Sequence, residues 1–187
     1  MSVAFDATFL LPLLNPNVRG PLDPATNQPL EFVRERLDYL VDGLENDRTK
    51  IIIPTPALSE LLVHAGNAGL VYLDRFRQSR SFKIEPFDER AALEVALAIR
   101  HNIDQMGKKR GAQATETWAK VKFDQQIVAI AKVNSATILY SDDEGLREFA
   151  AQAHLTVVRL RELPLAPKEP QMRLDLKLPP KPIPPES

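Results

Sequence analysis

Short runs of β-branched and aromatic residues alternate along this chain with longer stretches whose apolar positions recur every three or four residues. Residues 3–5, 51–53, 82–84, 136–140 and 155–160 read as strands. Residues 31–44, 56–64, 71–76, 89–103, 115–132 and 144–153 show helical spacing. In the second of these helices Leu58, Leu61, Leu62 and Ala65 form one apolar stripe, with Thr55 expected as N-cap and Pro56 as first helical residue. Strands alternating with helices imply parallel pairing through crossovers, hence an α/β layer architecture. Its ligand site is expected at the carboxyl ends of the strands.

Two stretches fall outside this rhythm. Residues 12–29 hold five of the 16 prolines together with Asn15, Asn17 and Gly20, and read as a long loop between the first strand and the first helix. From Pro164 onward eight prolines and few large apolar residues favour an extended segment over a packed one. The expected organisation is one domain over residues 1–162 and a Pro-rich, flexible tail over 163–187.

Composition narrows the chemistry. At 187 residues, 44% hydrophobic and 26% charged, the chain is long enough for one real core, and wholesale disorder is excluded. A net charge of -1 gives no global basic field, so nucleic-acid binding has to come from a local patch. Absence of cysteine excludes disulfides, thiolate zinc sites and thiol nucleophiles. With 7 glycines and neither G-x-G-x-x-G nor G-x-x-x-x-G-K-[ST], the common nucleotide-cradling loops are missing. Asp6 interrupts the N-terminal apolar run, and no stretch reaches about 18 apolar residues. A soluble, cytoplasmic protein that does not engage membranes is expected.

The informative acids stand where the pattern calls for apolar residues or a plain cap. Asp6 ends the first strand inside VAFDATFLL, where an unpartnered carboxylate would be costly; a helix N-cap is the simpler reading. Glu60 borders the apolar stripe of its helix, and an acid near a helix N-terminus is worth only tenths of a kcal/mol. Asp124 precedes the buried-looking Ile127, Val128, Ile130 and Ala131, with an exposed helix position as the alternative. Asp142 and Asp143 follow Ser141 after the apolar strand ATILY, and one of the two is expected to cap the next helix. Together these acids fall at one edge of a parallel sheet. Converging carboxylates raise one another's pKa unless a cation neutralises them, and oxygen-only ligands suit Mg²⁺ or Mn²⁺.

The ordered set FDATFLL, PTPALSELL, KFDQQIVAIA and YSDDEGLREFA resembles the PIN-domain nucleases, including the VapC-type toxins of toxin-antitoxin modules, over residues 1–160. The resemblance implies a three-layer α/β sandwich with a central, mostly parallel five-stranded sheet flanked by helices. It implies a Mg²⁺- or Mn²⁺-dependent endoribonuclease whose four acids map onto Asp6, Glu60, Asp124 and Asp143. Asp142 is then auxiliary, although the doublet leaves the fourth ligand open, and Ser141 hydrogen-bonds a ligand carboxylate or the scissile phosphate. A 5′-phosphate product, a small antitoxin that occludes the site and a homodimer are implied in the same way. The Pro-rich loop and the segment beyond Leu163 have no counterpart in the compact toxins.

An acidic centre that binds RNA needs a basic rim. The clearest positive excess runs from Arg100 to Lys122, where Lys108, Lys109 and Arg110 read as a loop that grips phosphates, with Lys122 beyond it. A solvated loop between helices accounts for the same residues. Trp118 is expected in a core or interface, and His64, His101 and His154 show no metal-ligand spacing. Two other readings stand beside the nuclease. A haloacid-dehalogenase-like phosphatase wants a second Asp two residues after the first, where this chain has Thr8. A catalytically silent PIN-like module would keep the fold and serve as a binding partner or scaffold.

Overall fold

A computed structural model describes residues 1–15, 17–24, 26–106 and 118–167, with side chains described outside 101–122. Five strands form its centre: β1 (Ser2–Phe5), β2 (Lys50–Pro54), β3 (Phe82–Glu85), β4 (Ala136–Tyr140) and β5 (Thr156–Val158). They lie in the order β3-β2-β1-β4-β5, and all four pairings are parallel. The helices are α1 (Ala7–Leu14), α2 (Val33–Asn46), α3 (Thr55–Ala65), α4 (Gly69–Gln78), α5 (Glu89–Met106), α6 (Trp118–Val133) and α7 (Glu144–Gln152).

Side chains alternate across a strand, so each strand feeds both faces of the sheet. Val3 and Phe5 of β1, with Ile51 and Ile53 of β2, pack beneath Phe9 and Leu10 of α1, Leu37 of α2, Leu61 of α3 and Phe76 of α4. Ala4, Ile52 and Leu139 point the other way, into Ala91 of α5, Ile127 and Ile130 of α6 and Leu146 of α7. Two apolar layers and a sheet buried on both faces make a three-layer α/β sandwich with a parallel five-stranded centre, the architecture that the resemblance implied. Among the described residues no helix is long and apolar enough to cross a membrane.

Three local expectations shift. The segment expected as loop from residue 12 begins helically, because α1 continues through Pro12 to Leu14. Proline removes one backbone donor, but Phe9, Leu10 and Pro12 are buried, and that packing outweighs the lost bond. The N-cap of α3 is Pro54, not Thr55, which is already the first helical residue. β5 stops at Val158, and a 3-10 turn, Leu160–Glu162, replaces its expected last residues.

Strand order places the functional edge. From β1 the chain moves outward through β2 and β3, then returns to the other side of β1 for β4 and β5. The reversal falls between β1 and β4, the position where parallel α/β sheets open a crevice at their carboxyl ends.

Candidate active site

Asp6 stands at that reversal. It follows β1, and its backbone amide donates to Tyr140 O at 3.1 Å, extending the ladder between β1 and β4 by one bond. Only 3% of the residue is exposed. Two hydroxyls meet the same oxygen of its carboxylate: Ser141 Oγ donates to Asp6 Oδ2 at 2.9 Å and Thr8 Oγ1 at 3.2 Å. Each hydroxyl also accepts a backbone amide from the segment after β4, Thr8 Oγ1 from Asp142 at 3.0 Å and Ser141 Oγ from Asp143 at 3.0 Å. The two strand ends are thus bolted together through one carboxylate oxygen. Asp6 occupies the N-cap position of α1 without a side-chain cap bond, so capping does not explain its carboxylate.

Burial pushes the Asp6 carboxyl up to about 6. Desolvation is the largest cause, and the negative charge of Glu60 adds to it; the Ala7 amide, Ser141 and Thr8 pull in the opposite direction. A charge at Glu60 felt by Asp6 places the two acids in the same electrostatic neighbourhood, although Glu60 itself is exposed on α3.

Asp124 is buried, with 5% exposed, rather than on the solvent side of α6. Nine residues separate it from the end of α6, about 13 Å at 1.5 Å per residue. The five residues of β4 climb about 16 Å in the opposite sense, so Asp124 lies nearly level with the carboxyl edge of the sheet.

The doublet after β4 diverges. Asp143 caps α7, its Oδ1 accepting from Gly145 N at 2.7 Å. Asp142 turns toward the 3-10 turn, and its Oδ1 accepts from Leu160 N at 3.2 Å. The cap and the favoured fourth acid therefore coincide in Asp143. Asp143→Ala should lower stability by about 1 kcal/mol while Asp143→Asn, which keeps a capping oxygen, changes it by much less. Urea denaturation of the three proteins checks this; equal losses in both variants would place the stabilisation elsewhere than in the cap.

Thr8 is the participant that the sequence reading missed. Its signal was the D-x-T spacing, which sets a hydroxyl in the first turn of α1 beside the strand-end carboxylate. Glu85 is a further buried acid, with 8% exposed at the end of β3. It lies two strands from Asp6, about 9–10 Å by strand spacing, and pairs with Lys83 at 2.5 Å. Lys108, Lys109 and Arg110 lie outside the described residues, as do the side chains of Lys122, Trp118 and His101. His64 and His154 are exposed.

Among the described residues, Asp6 brings a carboxylate and Thr8 and Ser141 bring hydroxyls to this edge, a donor chemistry that fits Mg²⁺ or Mn²⁺. A carboxyl held well above its ordinary pKa by burial is also one that positive charge would relieve. Among the described residues, no three acid or histidine side chains come together as a metal-ligand group.

No protein-family model and no curated protein matches this chain. Among solved structures it is similar to a chain of VapBC2 from Rickettsia felis, crystallised with a DNA fragment from its promoter. The likeness has a TM-score of 0.55 at 13% identity and covers 85% of this chain and 98% of that one. What this chain shares with that protein is the fold.

Proposed function

We propose that this protein is a divalent-metal-dependent ribonuclease that hydrolyses RNA phosphodiester bonds, with Asp6, Glu60, Asp124 and Asp143 as its acids. The observation that carries the reading is Asp6: a desolvated carboxylate at the sheet's reversal point, oriented by Ser141 and Thr8 and held near a pKa of about 6. The fold likeness to VapBC2 supports it. Bound at these acids, Mg²⁺ or Mn²⁺ supplies Lewis-acid neutralisation of phosphate charge and a lowered pKa for the attacking water. The chain's own residues supply position. Ser141 and Thr8 fix one oxygen of the Asp6 carboxylate. The Asp143 carboxylate is held at the N-terminus of α7. Lys108, Lys109, Arg110 and Lys122 are assigned to the RNA backbone. The same reading gives the protein a small antitoxin partner and a homodimeric state.

The test is cleavage of a mixed RNA pool with Mn²⁺ or Mg²⁺ by the wild type and by folded Asp6→Asn and Asp124→Asn proteins. Cutting that needs the ion and disappears in both variants is the expected result; cutting that survives in both would assign it elsewhere. The absence of a preassembled acid triad among the described residues favours one competitor, a silent PIN-like scaffold. An active site gains thermal stability when Mn²⁺ binds the native state, whereas the scaffold does not.

A further inference from the structure

The helical layer on the Ala4 and Ile52 face of the sheet holds a space that the proposed chemistry does not use. Helix α6 packs against both α5 and α7, and a cavity of about 250 Å³ opens where the three meet. Val128 of α6 is buried at its floor, and Val95 of α5 and Phe149 of α7 wall it. Small side chains keep the space open: Ala98, Ala129 and Ala153 stand where larger apolar residues would let the helices close.

Volume and lining define what fits. The space exceeds the roughly 150 Å³ that encloses a benzene ring and falls short of the roughly 300 Å³ at which sites for drug-sized molecules begin. It therefore suits one ring with a small substituent. Glu94 and Lys132 of the lining pair with each other at 2.5 Å, so neither charge calls for a counter-ion and a neutral ligand is favoured.

The polar handle is Gln125. Only 8% of the residue is exposed, and among the described residues no hydrogen bond reaches its side-chain amide. Neither of its polar atoms is sealed off, in contrast to Asp142 Oδ2 and Arg36 Nε. The accessible remainder faces the cavity that the residue lines. Buried amides are normally satisfied, so an open one in an apolar wall points to a ligand that brings the partner. A side-chain amide presents a donor and an acceptor side by side, and a second amide answers both at once.

We propose that this cavity binds a small neutral aromatic amide, its ring held among Val95, Val128 and Phe149 and its amide paired with Gln125. The proposal stands apart from the nuclease reading, although Gln125 follows Asp124 and the ligand lies against the helix that carries that acid.

The test is a set of ligand-observed NMR titrations of the full-length protein with benzamide, ethylbenzene and benzoate in a chelating buffer, which keeps the acid edge free of metal. Benzamide should bind saturably. Benzoate, of the same shape but charged, should bind at least about tenfold more weakly. Gln125→Leu, which keeps the bulk and removes the amide, should weaken benzamide about tenfold while ethylbenzene binds at least as tightly as before. Ala98→Phe, which fills the space from the half-buried side of α5, should abolish binding of both. Should Gln125→Leu fail to fold, the wild type's preference for benzamide over the other two, and its loss in Ala98→Phe, decide the matter. No saturable binding, benzamide affinity unchanged in a folded Gln125→Leu, or binding that survives Ala98→Phe overturns the site. Sedimentation is the last arm: self-association of the wild type that Ala98→Phe breaks, with no benzamide bound, assigns the space to a second copy and overturns the proposal.

Discussion

Asp6→Asn should abolish metal-dependent cleavage and, with divalent ions removed, leave the protein more stable at neutral pH than the wild type. Loss of an acid so placed should lower the rate about a hundredfold or more. The gain in stability follows from burial. The Asp6 carboxyl titrates near 6 in the fold against 3.8 when unburied, with desolvation the main cause and Glu60 an additional one. Between these values the folded protein holds the proton more tightly than the unfolded chain. Its contribution to stability is therefore fully present below about pH 4 and lost as pH rises through about 6. Two pH units correspond to about 3 kcal/mol of penalty carried at neutral pH. An amide carries no charge to desolvate, so the variant escapes that loss. Denaturant titrations between pH 4 and 8 in a chelating buffer should show the two proteins diverging as pH rises, with the variant ahead. Adding Mn²⁺ should restore the wild type alone, because a cation bound to the native state compensates the buried charge. A variant less stable than wild type across the whole range would mean that the Ser141 and Thr8 hydrogen bonds outweigh desolvation.

Phe5→Ala should produce the largest loss of stability. The residue is fully buried one position before Asp6, and its ring lies 5.7 Å from that of Phe9, 6.2 Å from Phe82 and 5.1 Å from Tyr140. Those partners come from α1, β3 and β4, so one truncation opens a void where three elements meet. Phe-to-Ala changes in such cores cost about 3–5 kcal/mol. Domains of this size have only about 5–15 kcal/mol in total. Urea denaturation should show the midpoint falling by a large fraction, and cleavage should fall with it, since β1 carries Asp6 to the edge. Val63→Ala is the control: Val63 is 77% exposed, and its loss should stay within about 0.5 kcal/mol. A Phe5 variant as stable as that control would show that the aromatic cluster does not hold the strand ends.

The sequence determined the elements and much of the chemistry at their ends. Ile51, Ile52 and Ile53 can satisfy three consecutive apolar positions only in a strand buried on both faces, and that is where they lie. Asp143, immediately before the periodic residues of α7, caps that helix because a cap depends only on neighbours two and three residues away. The alternation of strands and helices likewise announced the parallel sandwich. Tertiary structure decided which of these local features meet. Nothing near Asp6 in the chain says that Ser141, 135 positions away, donates to it; that follows from β4 pairing with β1 on the side opposite β2. Helix periodicity left Asp124 with two faces to choose from, and packing of α6 over the sheet buried it. The helix through Pro12, unfavourable by propensity, forms because Phe9 and Leu10 fill the space above β1. The doublet was legible as one cap and one spare acid, but only the fold turned Asp142 toward Leu160. Local hydrogen bonds and periodicity are written in consecutive residues. The positions of buried charges depend on contacts between distant strands, whose pairing is selected by the whole core at once.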